Sequence, residues 1–174
     1  MRTFFVTVVA VFVAFLVSPL LRADAGCIPA PAPSDPASAL QRWSDEQIAN
    51  ARIIVATGDR RRVPEQGLVI AVATALQESS LRNLRGGDRD SIGLFQQRPS
   101  QGWGTPEQLA DPAYQTQKFY DKLLTVQGWQ DMRLTEAAQA VQISGYPEAY
   151  AKHTRAATAL VDALSGTAAC ERAV

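Results

Sequence analysis

The stretch that decides the fold runs from residue 64 to residue 97 and reads PEQGLVIAVATALQESSLRNLRGGDRDSIGLFQQ. Its first half is apolar almost all round, which is typical of a helix that is buried on every side. Glu78 stands at the carboxyl end of this apolar run. Apolar surroundings and the negative end of the helix dipole both disfavour a charged carboxylate, so we expect a raised pKa for Glu78. Such a carboxyl group is suited to general acid catalysis near neutral pH.

A second motif, GLFQ at residues 93–96, begins fifteen positions after Glu78. Together with Glu78 and the serine that follows it, this motif resembles the ES and GLMQ motifs of the soluble lytic transglycosylase family, which belongs to the lysozyme-like superfamily. A third motif, AVQ at residues 140–142, stands where that family usually has AYN, and Tyr150 is a further match. The resemblance covers roughly residues 43–164.

The resemblance implies a lysozyme-like (α+β) fold and cleavage of peptidoglycan glycan strands between N-acetylmuramic acid and N-acetylglucosamine. Glu78 would protonate the glycosidic oxygen and later act as the base. The N-acetyl group would stabilise the intermediate, and the muramic 6-hydroxyl would close onto its own ring to give a 1,6-anhydro product. Such an enzyme needs no second carboxylate, metal or cofactor. The residues that the resemblance assigns to substrate binding are Ser79, Gly93, Gln96, Gln142 and Tyr150.

Two other functions remain open. A lysozyme-type muramidase would hydrolyse the same bond, with Asp88 or Asp90 as the second carboxylate. A non-catalytic wall-binding domain would keep the fold without turnover, which the altered motif at residues 140–142 favours. The masses of the products separate the first alternative from a transglycosylase, and a cell-wall zymogram separates the second.

Several other chemistries lack the residues that they need. His153 is the only histidine, and neither cysteine begins a helix beside a base, so a nucleophilic triad and an ordinary zinc site are excluded. Residues 88–91 resemble the start of a calcium loop, but Ile92 and Pro99 stand where the EF-hand pattern needs ligands. The chain has 174 residues and a formal net charge of zero, so nothing argues for nucleic acid as a partner.

The amino-terminal 25 residues have the pattern of a secretory signal peptide. Arg2 supplies the positive region, residues 3–21 are uncharged and mostly apolar, and ADA at residues 23–25 is a cleavage site of the A-x-A type. An uncleaved anchor and a lipoprotein attached through Cys27 are the alternatives. We therefore expect a protein that is secreted or associated with the cell envelope and that contacts a membrane only through this segment. We further expect a monomer whose partner is peptidoglycan.

Cys27 and Cys170, the two cysteines, both lie in the exported part, where an oxidising environment and an even count favour a disulfide between them. Two free thiols are the alternative, and a lipid on Cys27 would exclude the bridge. Four prolines predict an extended linker over residues 26–42. The lysozyme-like domain would then span residues 43–166, and a carboxyl-terminal tail would span residues 167–174.

Helix signals recur through the domain, and no alternating strand pattern is present. Glycines at positions 58, 128 and 166 are the predicted stops, and the last predicted helix carries Tyr150. We therefore predict a mainly α fold with a buried central helix and at most a small hairpin between residues 82 and 92. The predicted helix caps or first residues are Ser44, Pro64, Thr105, Asp111, Thr135 and Pro147.

Aromatic and apolar side chains near the motifs have two possible uses. Trp103, Trp129 and Tyr146 are candidate platforms on which sugar rings would stack, although packing is the commoner use of such side chains. Leu94 and Phe95, inside the GLFQ motif, are assigned to the core.

Overall fold

The computed structural model describes the backbone of residues 36–171 and the side chains of residues 38–165. Within these residues the protein is mainly helical, as predicted, and has no named strand. The predicted signal peptide and the side chains of Cys27 and Cys170 lie outside the described residues. The helices are α1 (Pro36–Leu40), α2 (Asp45–Arg60), α3 (Glu65–Ser79), α4 (Pro106–Leu109), α5 (Pro112–Thr125), α6 (Leu134–Gln142) and α7 (Thr154–Glu171), with single 3₁₀ turns at Pro99–Gln101, Trp129–Asp131 and Ala151–His153.

The central helix is α3, which packs against α2, α5, α6 and α7. Every residue from Gly67 to Leu76 is buried, so the prediction of a buried central helix is confirmed. Full burial of one Val, Leu or Ile side chain stabilises a fold by about 1.5–3 kcal/mol, so this helix is the main contributor to the core. Pro64 was predicted as the first residue of this helix but lies at its N-cap, so α3 begins one residue later than predicted.

Three of the predicted helix starts are confirmed by their caps. Ser44 and Thr105 each accept a hydrogen bond from the backbone N–H three residues later, at 3.3 Å, and both form complete capping boxes. Asp111 accepts the N–H of Ala113 at 2.9 Å, and Pro112 is the first residue of α5. These local sequence signals therefore fix where α2, α4 and α5 begin.

The predicted stop at Gly58 is wrong, because α2 continues to Arg60. Gly58 instead allows α2 to approach its neighbours closely. A Cβ at this position would lie 2.2 Å from Leu68 Cδ2 and 2.8 Å from the hydroxyl of Tyr120. The absence of a side chain, rather than a helix end, is what the packing requires here.

Two further predictions on helix starts are wrong. Thr135 is the second residue of α6 rather than its cap, and its hydroxyl donates to the carbonyl of Pro147. Arg133 takes the N-cap position, where its N–H donates to Glu136 Oε2 at 3.0 Å. Pro147 lies in a turn, so Tyr150 precedes the last helix instead of lying on it.

Both ends of the described chain differ from the predicted linker and tail. Helix α1 lies within the predicted linker, packs against α7 and buries Ala39. Helix α7 continues through Gly166, the predicted stop, as far as Glu171. A proline at the first position of a helix forfeits no hydrogen bond, so Pro36 begins α1 instead of extending the linker. None of the described helices is both long enough and apolar enough to cross a membrane.

Candidate active site

Glu78 is the next-to-last residue of α3 and is half-buried. Its Oε1 accepts a hydrogen bond from the hydroxyl of Tyr150, at 2.8 Å. Burial raises the pKa of Glu78, and the side chains of Tyr150 and Gln142 lower that pKa by less than burial raises it. The pKa of the carboxyl group is therefore raised, which is the expected direction.

The chain turns sharply directly after this glutamate. Ser80 and Leu81 both have positive φ, 53° and 58°, a conformation that costs roughly 1–2 kcal/mol for each residue with a side chain. Two amides of α2 hold the turn: Gln47 donates to the carbonyl of Ser80 at 2.9 Å, and Asn50 donates to that of Leu81 at 2.8 Å. Because neighbouring side chains maintain this strained turn, the end of α3 has a fixed position.

Ser79 joins the end of α3 to the GLFQ motif. Its side chain is buried, and its Oγ lies 2.8 Å from the carbonyl oxygen of Leu94 and 3.0 Å from that of Ala75. These contacts make Ser79 a positioning residue for the two motifs. Its predicted contact with a glycan stays a prediction.

The GLFQ motif lies within a tight turn closed by Ile92 and Gln97. The N–H of each residue donates to the carbonyl of the other, at 2.9 and 3.1 Å. We predicted at most a small hairpin between residues 82 and 92. In the described part of the chain there is instead this single bridge, which lies later in the sequence than predicted. Leu94 and Phe95 are fully buried, which confirms their assignment to the core.

Gln115 organises this turn, and its role was not predicted from the sequence. The fully buried side chain accepts the N–H of Phe95 at 3.3 Å and donates to the carbonyl of Leu109 at 2.6 Å and to Asn83 Oδ1 at 3.1 Å. Gly93 leaves room for it, since a Cβ there would lie 1.8 Å from Gln115 Nε2. The sequence signal that could have indicated this role is a glutamine four residues before Phe119, on the buried face of α5.

Gln142 ends α6 beside the site, whereas Gln96 bonds within its own loop. Gln142 Nε2 donates to the carbonyl of Phe95 at 2.7 Å. Gln96 Nε2 donates to the carbonyl of Gly93 at 3.1 Å, and a Cβ on Gly87 would lie 1.7 Å from its Oε1. The structure thus brings Glu78 together with Tyr150 and Gln142, but it shows no hydrogen bond from Gln96 to them.

The two aspartates of the loop have surroundings unlike those of Glu78. Asp90 Oδ1 lies 2.6 Å from Arg98 Nε, and its Oδ2 accepts the N–H of Ser100 at 2.8 Å. The Ser100 N–H and the Arg98 guanidinium hold the pKa of Asp90 well below its usual range. Asp88 is 93 % exposed, with Arg89 Nε 3.9 Å away. Asp90 therefore stabilises the 3₁₀ turn at Pro99–Gln101, which contains Ser100.

The candidate stacking residues divide between core and surface. Trp129 is buried against Gly67 and belongs to the core. Tyr146 is 78 % exposed, and Trp103 is half-buried. His153 is half-buried, with its Nε2 3.1 Å from Gln77 Oε1.

A cleft of about 450 Å³, here named the α5–α6 cleft, lies beside Gln142. Glu78 is not among its lining residues, whereas Gln142, whose side chain lowers the pKa of Glu78, is one of them. Across residues 38–165, no three acidic, histidine or cysteine side chains gather closely enough to hold a metal ion. Its lining includes Trp103, Lys118, Asp121, Lys122, Val141, Gln142 and Ile143.

Comparison of the chain with protein-family models found no matching family, and comparison with curated proteins found no match. The resemblance to lytic transglycosylases therefore rests on the order and spacing of the sequence motifs.

Proposed function

We propose that this protein is a peptidoglycan lytic transglycosylase with a lysozyme-like fold, in which Glu78 is the single general acid and base. The observation that carries the proposal is the setting of Glu78: a half-buried carboxyl group of raised pKa at the end of a buried helix, with the hydroxyl of Tyr150 at 2.8 Å. A raised pKa makes the protonated form of the carboxyl group more populated, and this form can donate its proton to a glycosidic oxygen.

The neighbours of Glu78 have roles that follow from their hydrogen bonds. Burial, foremost, and the nearby charge of Glu78 raise the pKa of the Tyr150 hydroxyl, so it stays protonated and remains a donor. It stabilises the carboxylate that forms when Glu78 gives up its proton, and it fixes the orientation of that carboxylate. In the second step the carboxylate removes the proton of the muramic 6-hydroxyl, which attacks the anomeric carbon of the same sugar.

The surroundings of Asp90 weigh against the muramidase alternative. A second carboxylate has to stabilise the anomeric centre or activate a water. Both oxygens of Asp90 are already bonded, one to Arg98 and one to the N–H of Ser100. An intramolecular attack by the 6-hydroxyl requires no such partner. A transglycosylase mechanism therefore accounts better for a site in which only the carboxyl group of Glu78 has a raised pKa.

The experiment compares wild type, Glu78→Gln and Glu65→Gln on purified peptidoglycan, with products identified by mass spectrometry. Glu65 is the matched control, because it is an exposed glutamate at the other end of the same helix. We expect 1,6-anhydro-muramyl products from wild type and from Glu65→Gln. The rate for Glu78→Gln should fall by at least about a hundredfold, because the amide cannot transfer a proton.

Three results would contradict this proposal. Reducing-end products from wild type would indicate a muramidase. Retention of the protein on cell walls without any soluble product would indicate a wall-binding domain. Release of anhydro products by folded Glu78→Gln at the wild-type rate would exclude Glu78 as the catalytic residue.

A further inference from the structure

The α5–α6 cleft carries two lysines that no described carboxylate neutralises. Lys118 and Lys122 lie one helical turn apart on α5, and both line the cleft. The ion pairs of the described residues involve neither of them. Asp121, the acidic residue of the cleft, is bonded instead to Arg61, whose Nη2 lies 2.6 Å from Asp121 Oδ1. The cleft therefore presents two uncompensated positive charges.

The lining of the cleft also includes apolar side chains, one of them on a strained residue. Ile143 is 78 % exposed and has a φ of 53°, a rare conformation for a β-branched side chain. Trp103 and Val141 line the cleft with it. Strained backbone of this kind persists where the surrounding structure holds it, and it gathers at ligand sites. A concave site that combines cations with apolar side chains suits a ligand that has both acidic and aliphatic parts.

Gln142 connects this cleft to the proposed catalytic residue. Its side chain lines the cleft, bonds to the carbonyl of Phe95 and lowers the pKa of Glu78. Because Gln142 both lines the cleft and contacts Glu78, we expect a polymer that is cleaved at Glu78 to lie next to the cleft. On the proposed function, the polymer is a glycan strand whose side groups are peptide stems with free carboxylates and aliphatic side chains.

We propose that the α5–α6 cleft binds the peptide stem of the glycan strand, with Lys118 and Lys122 as partners of its carboxylates and Trp103 and Ile143 against its aliphatic side chains. The proposal rests on the proposed function for the identity of the polymer. It goes beyond that function in assigning a peptide-recognition site to residues outside the four motifs. Ammonium groups at an accessible surface favour anionic ligands and lose that preference as salt screens them.

The test compares two forms of one substrate that differ only in charge. Phosphate-containing polymers are first removed from purified peptidoglycan, and half of the sample is then amidated so that its stem carboxylates become neutral amides. The proteins are wild type, the double variant Lys118→Gln/Lys122→Gln, and the control double variant Arg52→Gln/Arg155→Gln. The control loses the same charge from exposed residues of α2 and α7 that do not line the cleft.

We expect wild type and the control to cleave the free-carboxylate form with a kcat/KM roughly tenfold above that for the amidated form at low salt. The lysine double variant should cleave both forms at the wild-type rate for the amidated form. A preference that survives in the lysine variant, or one that is absent from wild type, would overturn the proposal.

A binding measurement separates failure of this proposal from failure of the proposed function. Calorimetry with Glu78→Gln and the disaccharide–tetrapeptide unit of peptidoglycan, in free and amidated forms, requires no turnover. If wild type cleaves nothing but the free form binds roughly tenfold more tightly through the two lysines, the cleft is a peptide site and the catalytic proposal fails. If cleavage occurs and the two forms bind alike, the cleft proposal alone fails.

Discussion

Glu78 and Asp90 lie twelve positions apart in the chain, yet their carboxyl groups have opposite surroundings. Glu78 ends a buried helix and has one phenolic donor at 2.8 Å, and burial raises its pKa. Asp90 lies in a loop, where a guanidinium and a backbone N–H occupy its two oxygens and lower its pKa. The difference shows that the local donors and the burial, rather than the residue type, decide which carboxylate can carry a proton.

The same difference predicts opposite dependences of stability on pH. A carboxyl group whose pKa is raised in the folded state binds more protons there than in the unfolded state, so stability falls as pH rises through the raised pKa. A carboxyl group whose pKa is lowered stabilises the fold above its unfolded pKa and loses that stabilisation as pH falls toward the lowered value. Glu78 belongs to the first kind and Asp90 to the second.

The largest expected effect comes from breaking the turn at residues 92–97, which follows Asp90 and is bonded to Ser79 beside Glu78. Gly93→Ala forces a side chain onto a φ of +79° and places its Cβ 1.8 Å from Gln115 Nε2. We expect a loss of about 2–4 kcal/mol in the free energy of unfolding, measured by denaturant titration. The control is Gly128→Ala, where φ is +69° and no heavy atom lies within 4 Å of the added Cβ.

The control should lose only about 1–2 kcal/mol, which is the cost of the backbone conformation alone. Equal losses at the two glycines would mean that Gln115 moves aside easily, and the assigned role of Gln115 in the turn would be wrong.

The second prediction concerns a variant that loses the hydrogen bond from Tyr150 to Glu78 while Glu78 stays as buried as before. Tyr150→Phe should raise the pKa of Glu78 further, because the lost bond lowered it. The descending limb of the kcat/KM profile should then move to higher pH, with maximal activity lower by roughly tenfold. An NMR titration of the Glu78 carboxyl carbon measures the same shift without turnover. The matched control is Tyr120→Phe, which removes a buried hydroxyl that donates to the carbonyl of Ile54.

If the Glu78 titration is the same in wild type and Tyr150→Phe, the bond between the two residues does not set the carboxyl pKa. The comparison with Asp90 would then rest on burial alone.

Local signals in the sequence were sufficient for much of the fold. The caps at Ser44, Thr105 and Asp111 and the buried run of α3 depend on contacts within a few residues, and all four predictions are confirmed. Gly58 was read as a stop because glycine commonly ends helices, but its role depends on side chains from α3 and α5. Such packing between distant segments leaves no local pattern.

The features of the site also divide into those that local sequence predicts and those that depend on contacts between distant segments. The position of Glu78 at the end of an apolar run predicted its raised pKa, since both follow from one helix. The hydrogen bonds of Gln115 reach Asn83, Phe95 and Leu109, which come from three other segments, so they follow only from the tertiary structure. Tyr150 was placed on a helix and lies instead in a turn, although it still meets Glu78.

A smaller effect is expected when Glu78, whose pKa is raised, is replaced by a neutral glutamine. Glu78→Gln should melt about 2–4 °C above wild type near pH 7, because the ionised group is disfavoured in the folded state. The difference should shrink as pH falls toward 4.5, the ordinary pKa of a glutamate, because wild type then also becomes neutral. Calorimetric melting curves across this range measure it. A difference that stays constant with pH would mean that the two side chains pack differently and that ionisation has no part.

The smallest expected effect is that of Asp90→Asn, which tests the other carboxylate. The amide oxygen can still accept the N–H of Ser100, but the charge that pairs with Arg98 is lost. The variant should keep at least about a tenth of the cleavage activity, because Asp90 has no proton to transfer. It should melt slightly below wild type near pH 7. The difference should begin to shrink as pH falls below 3.8, the ordinary pKa of an aspartate, and should vanish only as pH approaches the lowered pKa of Asp90 in the folded state. Asp88→Asn is the control, since that side chain is 93 % exposed and has no comparable bonds. A thousandfold loss of activity in Asp90→Asn alone would make Asp90 a catalytic partner of Glu78, and the muramidase would then replace the transglycosylase as the better account of the site.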